Sequence, residues 1–327
     1  MPTPTWVVGS GGLLGSWVGR ELHRRDVPVT TSVVPWDDPA QARAVLLDDA
    51  HRFVSTAGGG RWRVAWCAGA GVNGTTEQAF AVENAMLRDV LAGLAHAAGG
   101  SAEQGTVFHS SSAGGVYAAA PGAPHSEYSH TAPLGLYGHA KLAAESVVTE
   151  FARETGATAV IGRFANLYGP GQNLAKPQGL ISHLCRGYLT GRPVSIYVSM
   201  DTLRDYLYVS DAGEMVADAL ARADAEPGGV TTKIFASGRS VTIGAILGAC
   251  RTVFRRRPNV VLASSPLASV QGRDLRLRSR VWTDLDRRSH RPLPAGIAAT
   301  LESTRRAMGR SEPPQSERPS VRSPERA

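Results

Sequence analysis

The sequence predicts a doubly wound α/β domain built on a parallel sheet, with a smaller α/β unit in its C-terminal half. Three observations carry that prediction. Short β-branched or aromatic runs alternate with helically spaced apolar stretches six or seven times. The first run leads directly into a glycine-rich turn and then a helix. The chain has 327 residues, enough to bury a large core in one or two domains. Crossovers between such strands are expected to be right-handed.

Trp6-Val7-Val8 reads as a short buried strand. Gly9, Gly12 and Gly15 follow in a strand-to-helix turn, and the helical pattern runs through Leu22. Glycines let a backbone approach a pyrophosphate, and the free N–H groups and dipole of a helix start favour an anion. Val29 to Val34 reads as the second strand. An acid at its end would hold an adenosine ribose. The acids come late here, at Asp37 and Asp38, and one of them is expected to cap the helix from Pro39 to about Val54.

Only about 25 residues separate this strand from Arg63 to Cys67, too few for a helix, an edge strand and a second crossover. The third strand of a full doubly wound sheet is therefore expected to be missing. Ala68 to Gly71 closes the Trp66 strand with small residues that suit close approach to a ligand. Glu77 to Ala98 reads as a long helix carrying Asn84, and Thr106 to His109 as a strand ended by Ser110-Ser111-Ser112. Ala113 to Pro133 reads as a loop and Tyr137 to about Thr155 as a helix. Strands are expected at Thr158 to Arg163, Val194 to Val198 and Arg204 to Val209. Further helices are expected at Leu180 to Leu189, from Ser210-Asp211 to about Arg222, Thr242 to Phe254 and Ile297 to Met308. From Ser311 on, Pro, Ser, Glu and Arg dominate, which reads as a disordered tail.

Composition narrows the function. No apolar run approaches the roughly 18 residues of a membrane span, and the first residues lack the basic region of a signal peptide. Cys67, Cys185 and Cys250 are odd in number and far apart, which predicts a reducing, cytoplasmic setting without a disulfide framework. No Cys/His cluster has metal-ligand spacing, and His125 and His130 read as surface histidines. The net charge is +7. Residues 251–291 hold eleven arginines against Asp274, Asp284 and Asp286, a net of +8, so the rest of the chain carries −1. Poor aromatic interleaving there argues against nucleic acid. An anionic small molecule suits the segment better, although an arginine-rich solvated surface accounts for much of it.

The chemistry concentrates at Tyr137-Gly-His-Ala-Lys141. Four residues are about one helical turn, so Tyr137 and Lys141 share a face. An ammonium beside a phenol favours the phenolate, and a phenol tuned that way trades protons near neutral pH.

With the glycine spacing, the serine run, Tyr137-x-x-x-Lys141, Arg163-Phe-Ala-Asn166-Leu-Tyr-Gly-Pro-Gly and Arg204-Asp-Tyr-Leu-Tyr-Val-Ser-Asp211, the chain resembles an extended short-chain dehydrogenase/reductase. The group it resembles is the NAD-dependent epimerase/dehydratase family acting on nucleotide sugars, over about residues 5–310. The resemblance implies a Rossmann domain from 1–168 plus about 200–238, and a substrate domain from 169–199 plus 239–310. Catalytic roles fall to Tyr137 as acid/base, Lys141 as its tuner and ribose ligand, and Ser112 on the reacting sugar oxygen. Gly9, Gly12, Leu14, Gly15, Ala68, Asn84, Tyr137 and Lys141 would bind NAD, or NADP. Ser112, Asn166, Arg204 and Arg276 would bind a nucleotide-diphosphate sugar, Arg278 being the alternative to Arg276. By analogy a homodimer would form through the helices of Asn84 and Tyr137. Three departures stand out. The serine run is followed by a segment one residue longer than the usual spacing, which brings Ser111 into competition with Ser112. Ala113-Gly114 stand where sugar 4,6-dehydratases carry Asp-Glu, which argues against that elimination. The acid after the second strand is weakened.

Overall fold

The computed structural model describes residues 2–69, 71, 74–176, 178–263 and 272–310. The tail expected from 311 on lies outside the described residues. The chain begins β1 (Thr5–Val8), α1 (Leu13–Arg24), β2 (Val29–Thr31), α2 (Pro39–Ala57), β3 (Trp62–Trp66) and α3 (Glu77–Ala98). It continues with β4 (Gly105–Ser112), α4 (Ala113–Val116), α5 (Leu136–Thr155), β5 (Thr158–Phe164) and β6 (Asn166–Tyr168). The second half holds α6 (Leu180–Thr190), β7 (Val194–Ile196), β8 (Leu203–Tyr208), α7 (Val209–Ala225) and β9 (Val230–Phe235). Then come β10 (Ser240–Thr242), α8 (Ile243–Phe254), β11 (Val260–Leu262), β12 (Asp274–Leu275) and α9 (Leu293–Arg310).

Six strands form one sheet in the order β2-β1-β3-β4-β5-β9, every pair parallel. Strand order reverses at β1, with β2 on one side and β3 on the other, and ligand crevices open at such a point. A single helix, α2, joins β2 to β3, so β2 is the sheet edge and the missing third strand is as expected. Alternation along the strands divides two cores. Trp6, Val8, Val64 and Trp66 pack with α2, α3 and α5 on one face. Val7, Ala65, Phe108 and Val160 pack with α1 and α7 on the other. A third core gathers Ile181 and Leu184 of α6, Ile246 and Phe254 of α8, and Ile297 and Leu301 of α9.

Local chemistry sets the ends of the elements. Asp38 is the acid that caps α2: its carboxylate accepts from the N–H of Ala40 and of Gln41, each at 3.1 Å, with Pro39 in the first turn. Gly156 ends α5 at φ 74°, where a side chain would be strained.

The structure corrects several boundaries. β2 stops at Thr31, and of the residues that follow, Ser32 bonds the Trp6 indole and Val34 packs on the core while Val33 is 95% exposed. The three serines belong to β4, paired with Gly162, Arg163 and Phe164 of β5. Ala113 to Val116 is a helical turn inside the expected loop, capped by the Ser112 hydroxyl accepting from the Gly115 N–H at 3.2 Å. β9 escaped the sequence reading because its centre, Thr231-Thr232-Lys233, is polar. Lys233 is fully buried and paired with Asp286, its ammonium 2.9 Å from one carboxylate oxygen.

Candidate active site

The turn after β1 leaves no room for a side chain at Gly9 or Gly15. Gly9 has φ 83°, and a Cβ there would lie 2.6 Å from the backbone nitrogen of Ala68. A Cβ on Gly15 would lie 2.3 Å from the Gly9 carbonyl oxygen. Gly12 donates its N–H to that same carbonyl at 2.9 Å and forms the start of α1, whose first turn no side chain caps. Leu14 anchors the turn from below, its side chain buried in the core between the sheet and α7. Free helix-start N–H groups above a stripped backbone fit a dinucleotide pyrophosphate.

Beside this turn, β4 and α5 converge. Tyr137 and Lys141 share one face of α5, the Lys141 ammonium 5.9 Å from the Tyr137 ring centre. Lys141 donates to the Ser110 carbonyl at 3.3 Å, tying the helix to the end of β4. The Tyr137 ring packs on the Gly114-Gly115 turn, where a Cβ on Gly115 would come within 3.0 Å of it. Ser112 caps that same turn. Asn84 of α3 donates to the Ala140 carbonyl at 3.1 Å and so fixes α3 against α5. A small cavity between these helices is lined by Ala68, Asn84, His109, Tyr137 and Lys141. Buried His109 is held neutral, its pKa pushed down to about 3 by desolvation and then by the nearby Lys141 charge.

The two candidate serines have different surroundings. Ser111 is buried and donates to Glu145 at 2.5 Å. Arg163 of β5 grips the same carboxylate with two nitrogens, at 3.0 and 2.6 Å, and donates to the Tyr117 hydroxyl at 2.6 Å. That hydroxyl donates to the Ser126 carbonyl at 2.8 Å. This network locks α5 to the sheet one turn beyond Lys141. Sequence reading missed it, although Glu145 follows Lys141 by four residues and so lies on the same helix face. Ser112, half-buried, faces the other way: a Cβ on Gly114 would lie 4.0 Å from both Ser112 Oγ and Asn166 Oδ1.

Asn166 thus joins this group, with β6 pairing it to Tyr206 of β8. Burial pushes the Tyr206 hydroxyl up to about 12, against Arg204 and a hydrogen bond with Asn166. Arg204 is buried, and one guanidinium nitrogen donates to the carbonyls of Leu203, at 2.8 Å, and Arg273, at 3.4 Å. Among the described residues it forms no ion pair with a carboxylate, and desolvation pushes its pKa down against the influence of Tyr206 and the more distant Asp274. A buried cation without a counter-ion is ready for an anion. Arg276 is different: it is exposed and its guanidinium is held by Asp274 at 2.8 Å. Arg278 is exposed on a groove with Pro124, Ser126, Tyr128 and Arg280. His125, expected at the surface, is instead fully buried and stacked on Tyr117.

Burial raises all three thiols to about 12, so none is a ready nucleophile. Among the described residues no His/Cys/Asp/Glu group could hold a metal, and no helix is long and apolar enough to cross a membrane.

Comparison with known proteins agrees with this geometry. The family model for the NAD dependent epimerase/dehydratase family matches residues 5–234. A UDP-glucose 4-epimerase of Mycolicibacterium smegmatis is 32% identical over 123 residues, 38% of each chain. A dTDP-4-dehydro-6-deoxyglucose reductase of Escherichia coli is 31% identical over 105 residues, 32% of this chain and 33% of the other. The chain thus spans little more than a third of the length of these relatives. The solved structure of MoeE5 in complex with UDP-glucose and NAD superposes with a TM-score of 0.76 at 23% identity, covering 93% of this chain and 99% of that one. That likeness is one of fold: a six-stranded parallel sheet of Rossmann type with added C-terminal elements. On the match over most of its length, the chain belongs to the NAD-dependent epimerase/dehydratase family.

Proposed function

We propose that this protein is a nucleotide-sugar 4-epimerase that binds NAD on the glycine turn. The reading is supported chiefly by the meeting of β4 and α5, where Lys141 bonds the Ser110 carbonyl and the Tyr137 ring packs on the turn that Ser112 caps. Bound there, a nicotinamide supplies a hydride acceptor that also gives the hydride back. Tyr137 takes the proton from the sugar 4-hydroxyl and later returns it. Lys141, held by the Ser110 carbonyl, stabilises the phenolate and holds the cofactor ribose. Ser112 donates to the sugar oxygen as it becomes a carbonyl. Arg204 and Asn166 hold the diphosphate end, so the sugar can turn while its anchor stays fixed. Segments 169–199 and 239–310 form the substrate-binding part. Ala113-Gly114 beside Ser112 offer no acid/base pair, which supports epimerisation over 4,6-dehydration.

Tyr137→Phe is expected to leave NAD affinity within about threefold while kcat for UDP-glucose epimerisation, or for another accepted nucleotide sugar, falls about 10²- to 10⁴-fold. Full turnover in that variant would end the assignment. The reductase relative supports a second reading, reduction of a nucleotide 4-keto sugar by exchangeable NADPH. Protein that keeps NAD through purification favours the epimerase; net consumption of NADPH with a 4-keto sugar favours the reductase.

A further inference from the structure

The edge strand of the sheet bears on how the adenosine half of the cofactor is read. β2 pairs with β1 in a parallel register that sets Thr5 beside Val29, Trp6 beside Thr30 and Val7 beside Thr31. β2 ends at Thr31, level with Val7, and Ser32 and Val33 follow as the strand's end approaches the glycine turn. In a doubly wound domain this is the position from which an acid reads the ribose 2′-hydroxyl, and the acid's charge repels a 2′-phosphate. Here the residues that follow the strand, Ser32, Val33 and Val34, are uncharged, and Val33 is 95% exposed. The two nearest acids come four and five residues later. Asp38 is committed to the start of α2, where its Oδ1 accepts both backbone donors. Asp37 is exposed within the turn closed by the Asp38 N–H donating to the Pro35 carbonyl at 3.0 Å. Ser32 is occupied, its hydroxyl accepting from the Trp6 indole at 2.9 Å.

We propose that Val33 removes the charge that would exclude a 2′-phosphate, so that this chain binds NADP about as well as NAD. The inference rests on the reading of the glycine turn as a dinucleotide site, and its test is binding rather than turnover. Titration calorimetry of NAD and of NADP against the full chain is expected to give dissociation constants within about tenfold of each other. Val33→Asp is expected to weaken NADP relative to NAD by tenfold or more, and Asp37→Asn to leave the ratio unchanged. A wild-type preference for NAD above 100-fold would overturn the proposal. So would a rise in relative NADP affinity in Asp37→Asn, because Asp37 would then be the residue reading the ribose. An unchanged ratio in Val33→Asp would overturn it as well. If neither dinucleotide binds, the reading of the glycine turn fails first and this inference falls with it.

Discussion

The glycine turn after β1 and the arginine-rich segment 251–291 are the two regions whose composition is most conspicuous in the sequence, and they behave in opposite ways. In the turn, the two tightest glycines meet a constraint a few residues or one strand away: Gly15 against Gly9, and Gly9 against Ala68. Local spacing contains nearly all the information. In the basic segment, charge by itself announces an anion site, yet much of that charge is used within the molecule. Arg273 pairs with Asp201, Arg276 with Asp274, and Arg288 with Asp218. Arg256 and Arg291 lie over the rings of Tyr188 and Tyr208. The buried cation without a carboxylate, Arg204, comes from β8, outside the segment. A steric motif can be read locally; the availability of a charge cannot, because its partner sits far away in sequence.

That contrast can be broken or sharpened by substitution. The largest effect is expected where the C-terminal segment meets the core. Asp286→Ala would leave the fully buried Lys233 without its counter-ion and cost about 3–5 kcal/mol in denaturant unfolding, whereas Lys233→Met with Asp286→Ala should recover much of that loss. An equal loss in single and double variants would remove the ion pair from the account. Next comes Gly9→Ala. A Cβ at φ 83° against the Ala68 backbone predicts a loss of about 2–4 kcal/mol together with weakened NAD binding. Unchanged stability would mean that the turn relaxes and is not sterically fixed. The smallest effect is expected for Arg276→Ala. Its partner Asp274 is half-exposed, so the unfolding midpoint should hardly move, and UDP-glucose affinity should change by less than about threefold. A tenfold loss of affinity would restore Arg276 to the substrate site.

The same division runs through the whole reading. α3 was legible to the residue, since Thr76 caps it and Gly99 ends it. α5 with Tyr137 and Lys141 was legible from helical spacing alone. β9 was not, because a strand with Thr-Thr-Lys at its centre looks polar until Asp286 arrives from 53 residues away. The choice between Ser111 and Ser112 was also closed to sequence: adjacent residues on a strand point to opposite faces, and only the packing of α5 decides which face holds Glu145 and which holds Asn166. By itself, then, the sequence determined the alternation of strands and helices, the stripped turn, and the phenol and ammonium on one helix face, all consequences of backbone sterics and short-range periodicity. Tertiary structure alone decided which arginine lacks a carboxylate partner, which serine is tied to Glu145, and that a lysine can lie in the core, because burial and pairing depend on groups that only the fold brings together.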